Sequence, residues 1–369
     1  MNNMTIPYVN ISKQWNSEKK NILQIINNTM SSGSHVGGKE ILKFEKNIKN
    51  LCKKKYCVAL NSGTDALTFA LYSLGIRKGD EVITIPNSFV ASTSCIVHLG
   101  ARPVFVDVQN DQNINPDLIE NYITKKTKAI MPVHLTGRIS EMKKIMKISK
   151  KYNIPIIEDA AQAIGSKYYN QPSGFFGSFG CFSAHPLKNL NALGDSGFLV
   201  TNQKKHYNLI KDVSNHGMSN RNKIKNFGHV SRMDNLQAGV LNYRLKNLDK
   251  IVLKRRRNAK LYEKLIDKNY VYIPQEKKYE YNTYHTYVVQ VNKRDKLKKF
   301  LLNKGISTAI HYPIPIHLQP ASKYLGYNKG SFKIAEKQAK TILSLPIHQY
   351  LSINDIEYIS KSINSFFKR

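Results

Sequence analysis

Short apolar runs recur through the first half of the chain and alternate with stretches whose apolar residues fall at helical spacing. The runs at 56–60, 81–85, 103–107, 128–133, 154–159, 180–183 and 197–201 predict strands. Between them, 64–74, 91–98, 116–123 and 142–152 predict helices. Continuous apolar runs separated by helices point to a mainly parallel sheet buried on both faces. In such sheets ligands bind where strands end and loops begin. Farther on, 231–260 is apolar at Met233, Leu236, Val240, Leu241 and Leu245, which predicts a long helix or helix pair leading to a smaller domain. That second domain has an aromatic strand at 284–291 and helices at 294–304, 332–343 and 353–367. Its Pro-rich segment 311–320 cannot be a long helix, because proline lacks the amide donor and fixes φ. The expected division is a large α/β domain with an N-terminal arm over 1–245 and a small α+β domain over 246–369.

Composition changes this picture little. At 369 residues, with 41% hydrophobic residues, the chain can bury a large core and a smaller one. Cys52, Cys57, Cys95 and Cys181 show neither metal-type spacing nor a disulfide framework. The N-terminus lacks a basic region followed by an apolar run, and no apolar stretch approaches membrane-spanning length. A soluble cytoplasmic protein is the expectation. The formal charge of +32 favours anionic partners, but the lysines are scattered and only Lys254-Arg-Arg-Arg257 is a dense cluster. Scattered lysines read as solvated helix faces, while an anionic small substrate such as a nucleotide sugar still gains from the field.

Candidate chemistry sits at three junctions. Lys188 lies in Cys181-Phe-Ser-Ala-His-Pro-Leu-Lys-Asn-Leu-Asn-Ala-Leu-Gly-Asp-Ser-Gly197, a mostly uncharged loop between strand-like runs. A lysine forms a Schiff base only through its neutral amine, which burial or a cationic neighbour supplies. An ordinary loop lysine is the bland reading, set aside because of the company Lys188 keeps. Asp159 ends an apolar strand in Glu158-Asp-Ala-Ala-Gln162 and could hold a pyridine nitrogen protonated. In isolation it suits a helix N-cap equally well. Ser62-Gly63-Thr64 precedes a helix, where free amides and the helix dipole make a phosphate site, or where Ser62 is simply a cap. Phe89 could lie on an aromatic ring, although a core phenylalanine is the commoner fate. Neither a Gly-x-Ser-x-Gly nor a His-Glu-x-x-His pattern occurs, and the His311 to His317 tract has no acidic neighbours, so no metal is expected.

Together these stretches point to pyridoxal phosphate (PLP) chemistry, and they resemble the nucleotide-sugar aminotransferases of the DegT/DnrJ/EryC1/StrS family. The likeness runs from Ser32-Gly-Ser-His-Val-Gly-Gly-Lys-Glu40 to Leu343-Ser-Leu-Pro-Ile347. It is carried most specifically by Ser62-Gly-Thr-Asp-Ala-Leu67, Glu158-Asp-Ala-Ala-Gln162, Phe182-Ser-Ala-His-Pro-Leu-Lys-Asn-Leu190 and Gly194-Asp-Ser-Gly197. The resemblance implies fold type I, the aspartate aminotransferase fold. It implies Lys188 as the Schiff-base lysine and proton carrier, Asp159 on the pyridine nitrogen and Gln162 near the ring hydroxyl. Gly63, Thr64 and Ser183 are implied phosphate ligands, Phe89 the stacking residue, and Tyr312 and His317 substrate contacts. A homodimer with active sites at the interface is implied as well. The family's cross-subunit phosphate-binding Asn falls at Val230 here, a departure that leaves His229 and Ser231 as candidate replacements. Family members with His in place of the lysine run dehydration, so Lys188 favours transamination. The implied reaction moves an amino group from L-glutamate to a nucleotide-linked keto-sugar. It resembles the C3 type more than the C4 type, and would serve amino-sugar biosynthesis for surface glycans such as lipopolysaccharide O-antigen. Two alternatives remain: a PLP enzyme with other chemistry, and a nucleic-acid-binding regulator, for which no helix-turn-helix stretch precedes the first strand.

Overall fold

A computed structural model describes residues 5–368. The reading of the N-terminus rests partly on Met1 to Met4, which lie outside the described residues. The central sheet is built from β1 (Tyr56–Leu60), β2 (Glu81–Thr84), β3 (Arg102–Phe105), β4 (Thr127–Ile130), β5 (Ile157–Asp159), β6 (Phe179–Ser183) and β7 (Gly197–Thr201). β2 pairs in parallel with β3 and β4, and β5 pairs in parallel with β6. Parallel bridges Ile130–Ile156 and Val133–Asp159 join the two halves, giving the order β3-β2-β4-β5-β6-β7-β1. Only β7 runs against its neighbours, β6 and β1. All five β7 residues are buried, as expected of a strand covered on both faces.

The covering helices follow the apolar spacing. α1 (Ile11–Ser31), α2 (Lys39–Leu51), α3 (Gly63–Ser73), α4 (Ala91–His98), α5 (Met142–Tyr152), α6 (Lys204–Val213) and α7 (Asn235–Leu245) belong to this part of the chain. α5 buries Met142, Ile145 and Ile148 and turns its lysines outward. It stops at Asn153, whose left-handed backbone donates its amide to the Ser149 carbonyl. The stretch 116–123, expected as an ordinary helix, is a 3-10 helix over Pro116–Tyr122. α1 and α2 are not among the predicted helices, and their hidden faces are partly polar. α1 buries Gln14 and Thr29 beside Ile22, and α2 buries Glu45, which accepts the Ala59 amide at 3.0 Å.

α7 and α8 (Leu248–Leu265) form the expected helix pair. Beyond them, β8 (Val271–Tyr272), β9 (Tyr287–Val291) and β10 (Ile342–Leu345) make an antiparallel sheet. It is packed by α9 (Arg294–Asn303), α10 (Lys333–Thr341) and α11 (Ile353–Phe367). α11 opens on a capping box of Ser352 and Asp355. The helix expected over 332–343 ends at Thr341, because Ile342-Leu-Ser-Leu345 pairs with β9 instead. An apolar run fused to a helix end satisfies either period, and the free edge of β9 decides it.

Segments from either side of residue 245 cross between the two cores. Ile6 bridges Ile306 and packs in the C-terminal core with Tyr262, Leu297 and Ile359. Conversely, Ile316, Leu325, Phe332 and Ala335 pack among Ile83, Phe105 and Ile130. Among the described residues, no helix is long and apolar enough to cross a membrane.

Candidate active site

The C-terminal end of β5 sets the centre of the site. Adjacent residues of a strand face opposite ways, so Glu158 and Asp159 part company. Glu158 is fully buried and accepts the amides of Gly174 at 2.9 Å and Gly177 at 2.6 Å, with His134 Nε2 3.0 Å away. The Ser140 amide donates to His134 Nδ1, so the imidazole proton is on Nε2 and points at Glu158. Asp159 is also buried; its Oδ2 accepts from the Ser92 hydroxyl at 2.7 Å and its Oδ1 from the Ala161 amide at 3.2 Å. Burial raises its carboxyl above the ordinary carboxylate range, against the pull of Ser92, Ala161 and the Lys188 charge.

Lys188 stands across from Asp159 in the loop after β6. It is half-buried, and desolvation pulls its amine down to about 8, opposed by Asp159. About a tenth of the amine is therefore neutral at pH 7, far more than for an ordinary lysine, and the neutral amine is the state that attacks a carbonyl. His285 and His311 face the same amine; burial and the Lys188 charge push His285 well below its usual value and His311 to about 4. Neither ring competes with Lys188 for a proton.

The third element is the N-terminus of α3. Ser62 is its N-cap, accepting the Asp65 amide at 3.1 Å, so the first amides of the helix, at Gly63 and Thr64, have no capping partner. The backbone comes very close here. A Cβ at Gly63 would lie 2.7 Å from Ser183 Cβ, and one at Gly197 would lie 2.2 Å from the Ser62 carbonyl carbon. Glycine at 197 lets β7 pack directly under the Ser62-Gly63 turn and sets Ser183 beside the helix mouth. Gly197→Ala should cost about 1–3 kcal/mol through forced backbone shifts. It should also weaken PLP binding, which thermal unfolding and a cofactor titration would read. Unchanged affinity would separate Gly197 from the cradle.

Gln162 is buried and its Oε1 accepts the Thr136 amide at 2.8 Å, which leaves Nε2 as a donor without a protein partner. Phe89 is 55% exposed, unusual for so large an apolar ring, and its ring centroid lies 6.0 Å from that of Tyr312. Burial, with Asp159 next, pushes the Tyr312 hydroxyl up to about 12. Both rings line a cleft of about 710 Å3 between α4 and the Pro-rich segment.

His317 is placed elsewhere. The turn Ile316–Leu318 points it into the core, its side chain is fully buried, and Nε2 contacts Glu336 Oε1 at 3.1 Å beside the Phe332 ring. It lines no part of the cleft and is withdrawn as a substrate contact. Val230 bridges Asn215 on an exposed segment. Ser231 donates to Asn61 Oδ1 at 2.9 Å, and His229 stacks on Phe69, 3.9 Å from Asp65. Both of the candidate replacements thus stand by the α3 mouth of their own chain. Ser92, His134 and Thr136 escaped the sequence reading, because a lone serine, histidine or threonine between strands carries no pattern. Among the described residues no His, Cys, Asp and Glu side chains group as metal ligands.

These residues fit PLP. A helix mouth with unpaired amides, a lysine of lowered pKa, a buried carboxylate with a lone pair to spare and an uncovered aromatic ring meet at one strand end. The comparisons agree. The pattern of the DegT/DnrJ/EryC1/StrS aminotransferase family matches residues 16–364. A pleiotropic regulatory protein of Geobacillus stearothermophilus is 36% identical over 99% of both chains. A dTDP-3-amino-3,6-dideoxy-alpha-D-galactopyranose transaminase of Aneurinibacillus thermoaerophilus is 36% identical over 98% of this chain and 99% of its own. Among solved structures, S. venezuelae DesV in complex with a ketimine intermediate superposes with a TM-score of 0.96 at 32% identity, covering 99% of each chain. The chain belongs to the DegT/DnrJ/EryC1/StrS aminotransferase family and uses pyridoxal phosphate.

Proposed function

We propose that the chain transfers an amino group from L-glutamate to the C3 keto group of a sugar carried on a nucleoside diphosphate, working as a cytoplasmic homodimer. The observation that carries this reading is the lowered-pKa amine of Lys188 set opposite buried Asp159 beside the α3 helix mouth. Relatives named as 3-amino-sugar transaminases support the sugar and its position. The charge of +32 supports an anionic carrier. The four cysteines, all free and buried, suit a reducing compartment. Ile224, Phe227 and Val230 form an exposed apolar edge, with Phe227 97% exposed, which supports a second subunit there.

When bound, PLP supplies the carbonyl that takes up the amino group and the ring that withdraws electrons. The side chains supply the rest. Gly63, Thr64 and Ser183 hold the phosphate on the helix dipole. Asp159 stabilises a positive ring nitrogen, and that charge in turn offsets the desolvation that raises its carboxyl. Gln162 Nε2 is free to donate to the ring hydroxyl, and Phe89 covers one ring face. Lys188 accepts the proton leaving the donor's α-carbon and delivers it to the reacting partner, then does the reverse on the sugar carbon. Tyr312, beside Phe89, meets the sugar at the mouth.

The deciding experiment is the visible spectrum of the purified protein before and after L-glutamate. The expected result is a lysine-bound cofactor band that converts to the amine form of the cofactor. A band indifferent to glutamate would refute the donor, and no band after adding PLP would refute the role of Lys188.

A further inference from the structure

The loop that carries Lys188 is gripped from outside the site by helix α1. Ala192 donates its amide to the Ala184 carbonyl at 2.8 Å and closes the base of that loop. Within it, Asn191 Nδ2 donates to the Pro186 carbonyl at 2.7 Å, a side-chain chord that brackets Lys188 between its two ends. The same carboxamide forms a two-way pair with Gln14 of α1, 177 positions earlier in the chain. Gln14 Nε2 donates to Asn191 Oδ1 at 3.0 Å, and Asn191 Nδ2 donates to Gln14 Oε1 at 3.1 Å. Both side chains are buried, and Asn191 thereby uses its oxygen and both of its N–H groups. Glu18 stands one turn after Gln14 on the same helix face and reaches the loop by a second route. Its Oε2 accepts from Arg244 Nε at 2.9 Å and Nη2 at 2.8 Å. Arg244 Nη1 in turn donates to the carbonyls of Asn191 at 2.8 Å and Ala192 at 3.1 Å. Two residues of one helix thus converge on the side chain and the backbone of Asn191.

Anchoring α1 needs no more than a partner on the body of the protein. This arrangement also fixes the plane of a carboxamide. A primary amide carries its two N–H groups at a set angle in one plane, so once the Gln14 pair occupies the oxygen and one N–H, the other is aimed at Pro186. Without Gln14 the Asn191 carboxamide is free to turn about its last bond, and the chord across Lys188 slackens. A lysine side chain is already rich in rotamers, so a loose backbone beneath it multiplies the positions its amine samples. We propose that Gln14 and Asn191 are positioning residues, through which α1 holds the Lys188 backbone for attack on the cofactor carbonyl.

The inference rests on the reading of Lys188 as the covalent lysine, and it holds whichever donor and sugar the protein uses. In the attack the Lys188 nitrogen bonds to the aldehyde carbon of PLP, and the carbonyl oxygen leaves as water with both protons of the neutral amine. Binding and attack draw on different parts of the chain. The phosphate cradle belongs to α3 and the end of β6, through Gly63, Thr64 and Ser183. The amide pair belongs to α1 and the loop beyond β6. Loss of the pair therefore slows the attack and leaves the hold on the phosphate as it was.

The test uses cofactor-free protein and needs no turnover. PLP is added over a range of concentrations, and growth of the lysine-bound band is followed by stopped flow. The limiting rate reads the attack, and the half-saturating PLP concentration reads binding. Gln14→Met keeps the length of the side chain and removes the pair. It should lower the limiting rate on the order of tenfold, the scale on which misplaced reacting groups act, with half-saturation unchanged. Asn191→Ala removes the chord as well and should lower the rate at least as far; either variant carries the test if the other fails to fold. Asn21→Ala, also on α1, cuts a 3.1 Å bond to the Tyr243 hydroxyl and should leave both readings unchanged. That control separates the pair from a general loosening of the helix. A wild-type limiting rate in folded Gln14→Met, an equal fall in Asn21→Ala, or a change in half-saturation alone would overturn the proposal. No band in the wild-type protein would refute the covalent role of Lys188 and this inference with it.

Discussion

Lys188→Ala should leave a folded protein with no measurable turnover and no visible band from lysine-bound cofactor. The residue is half-buried in a loop and lies beyond 4 Å ion-pair distance of a carboxylate, so its truncation breaks no salt bridge, and Asp159 keeps its Ser92 and Ala161 hydrogen bonds. What is lost is chemistry. Positioned proton transfer contributes about 10²- to 10⁴-fold, and the covalent hold on the cofactor adds to that. Phosphate contacts from Gly63, Thr64 and Ser183 do not involve the lysine, so PLP should still bind, weakly and reversibly. Absorbance after gel filtration checks this directly. A band that survives in the variant would move the covalent role to another lysine.

Asp159→Asn separates electrostatics from shape. The amide is isosteric and can still meet the Ser92 hydroxyl and the Ala161 amide, so the fold around β5 should persist. It cannot carry a negative charge opposite the ring nitrogen. Activity should fall on the order of 10²- to 10³-fold, the scale on which losing one preorganised electrostatic partner acts. Cofactor should be retained in part. Lys188 should also respond, since Asp159 raises its pKa: without that charge the amine titrates lower than about 8. Single-turnover kinetics with glutamate over a pH series would read both effects. Near-normal rates would remove the ring-nitrogen role from Asp159.

Much of this architecture was legible in the sequence, for a physical reason. Buried parallel strands read as unbroken apolar runs, and helices such as Met142–Tyr152 and Ile353–Phe367 carry a marked apolar face. Legibility failed where burial and polarity part. α1 hides Gln14, which hydrogen-bonds Asn191, and Thr29, which bonds back to Ile25, so polar residues interrupt its buried stripe. Ile342–Leu345 reads as the end of a helix until β9 is known to lie beside it. At the site, the motif residues Lys188, Asp159, Gly63, Thr64, Gln162 and Ser183 are carried by local patterns. Their supports are not: Ser92 reaches Asp159 from 67 positions away in the chain. His317 misled because a His two residues past a Tyr-Pro-Ile-Pro stretch reads as exposed loop, whereas a single 3-10 turn drives it into the core.

The arm at the chain's start has a mechanical consequence. Ile6 is fixed in the C-terminal core by its exchange of hydrogen bonds with Gly305 and Ser307, and Pro7 by His348. Asn10 caps α1, which is anchored through Gln14 to Asn191, in the loop after β6, and through Glu18 to Arg244 on α7. Asn10 lies four positions after Ile6, a span of at most about 14 Å fully extended. The arm is therefore a short tether between the C-terminal core that holds Ile6 and the helix α1 that Asn10 caps, and it limits how far the two can separate while both ends stay bonded.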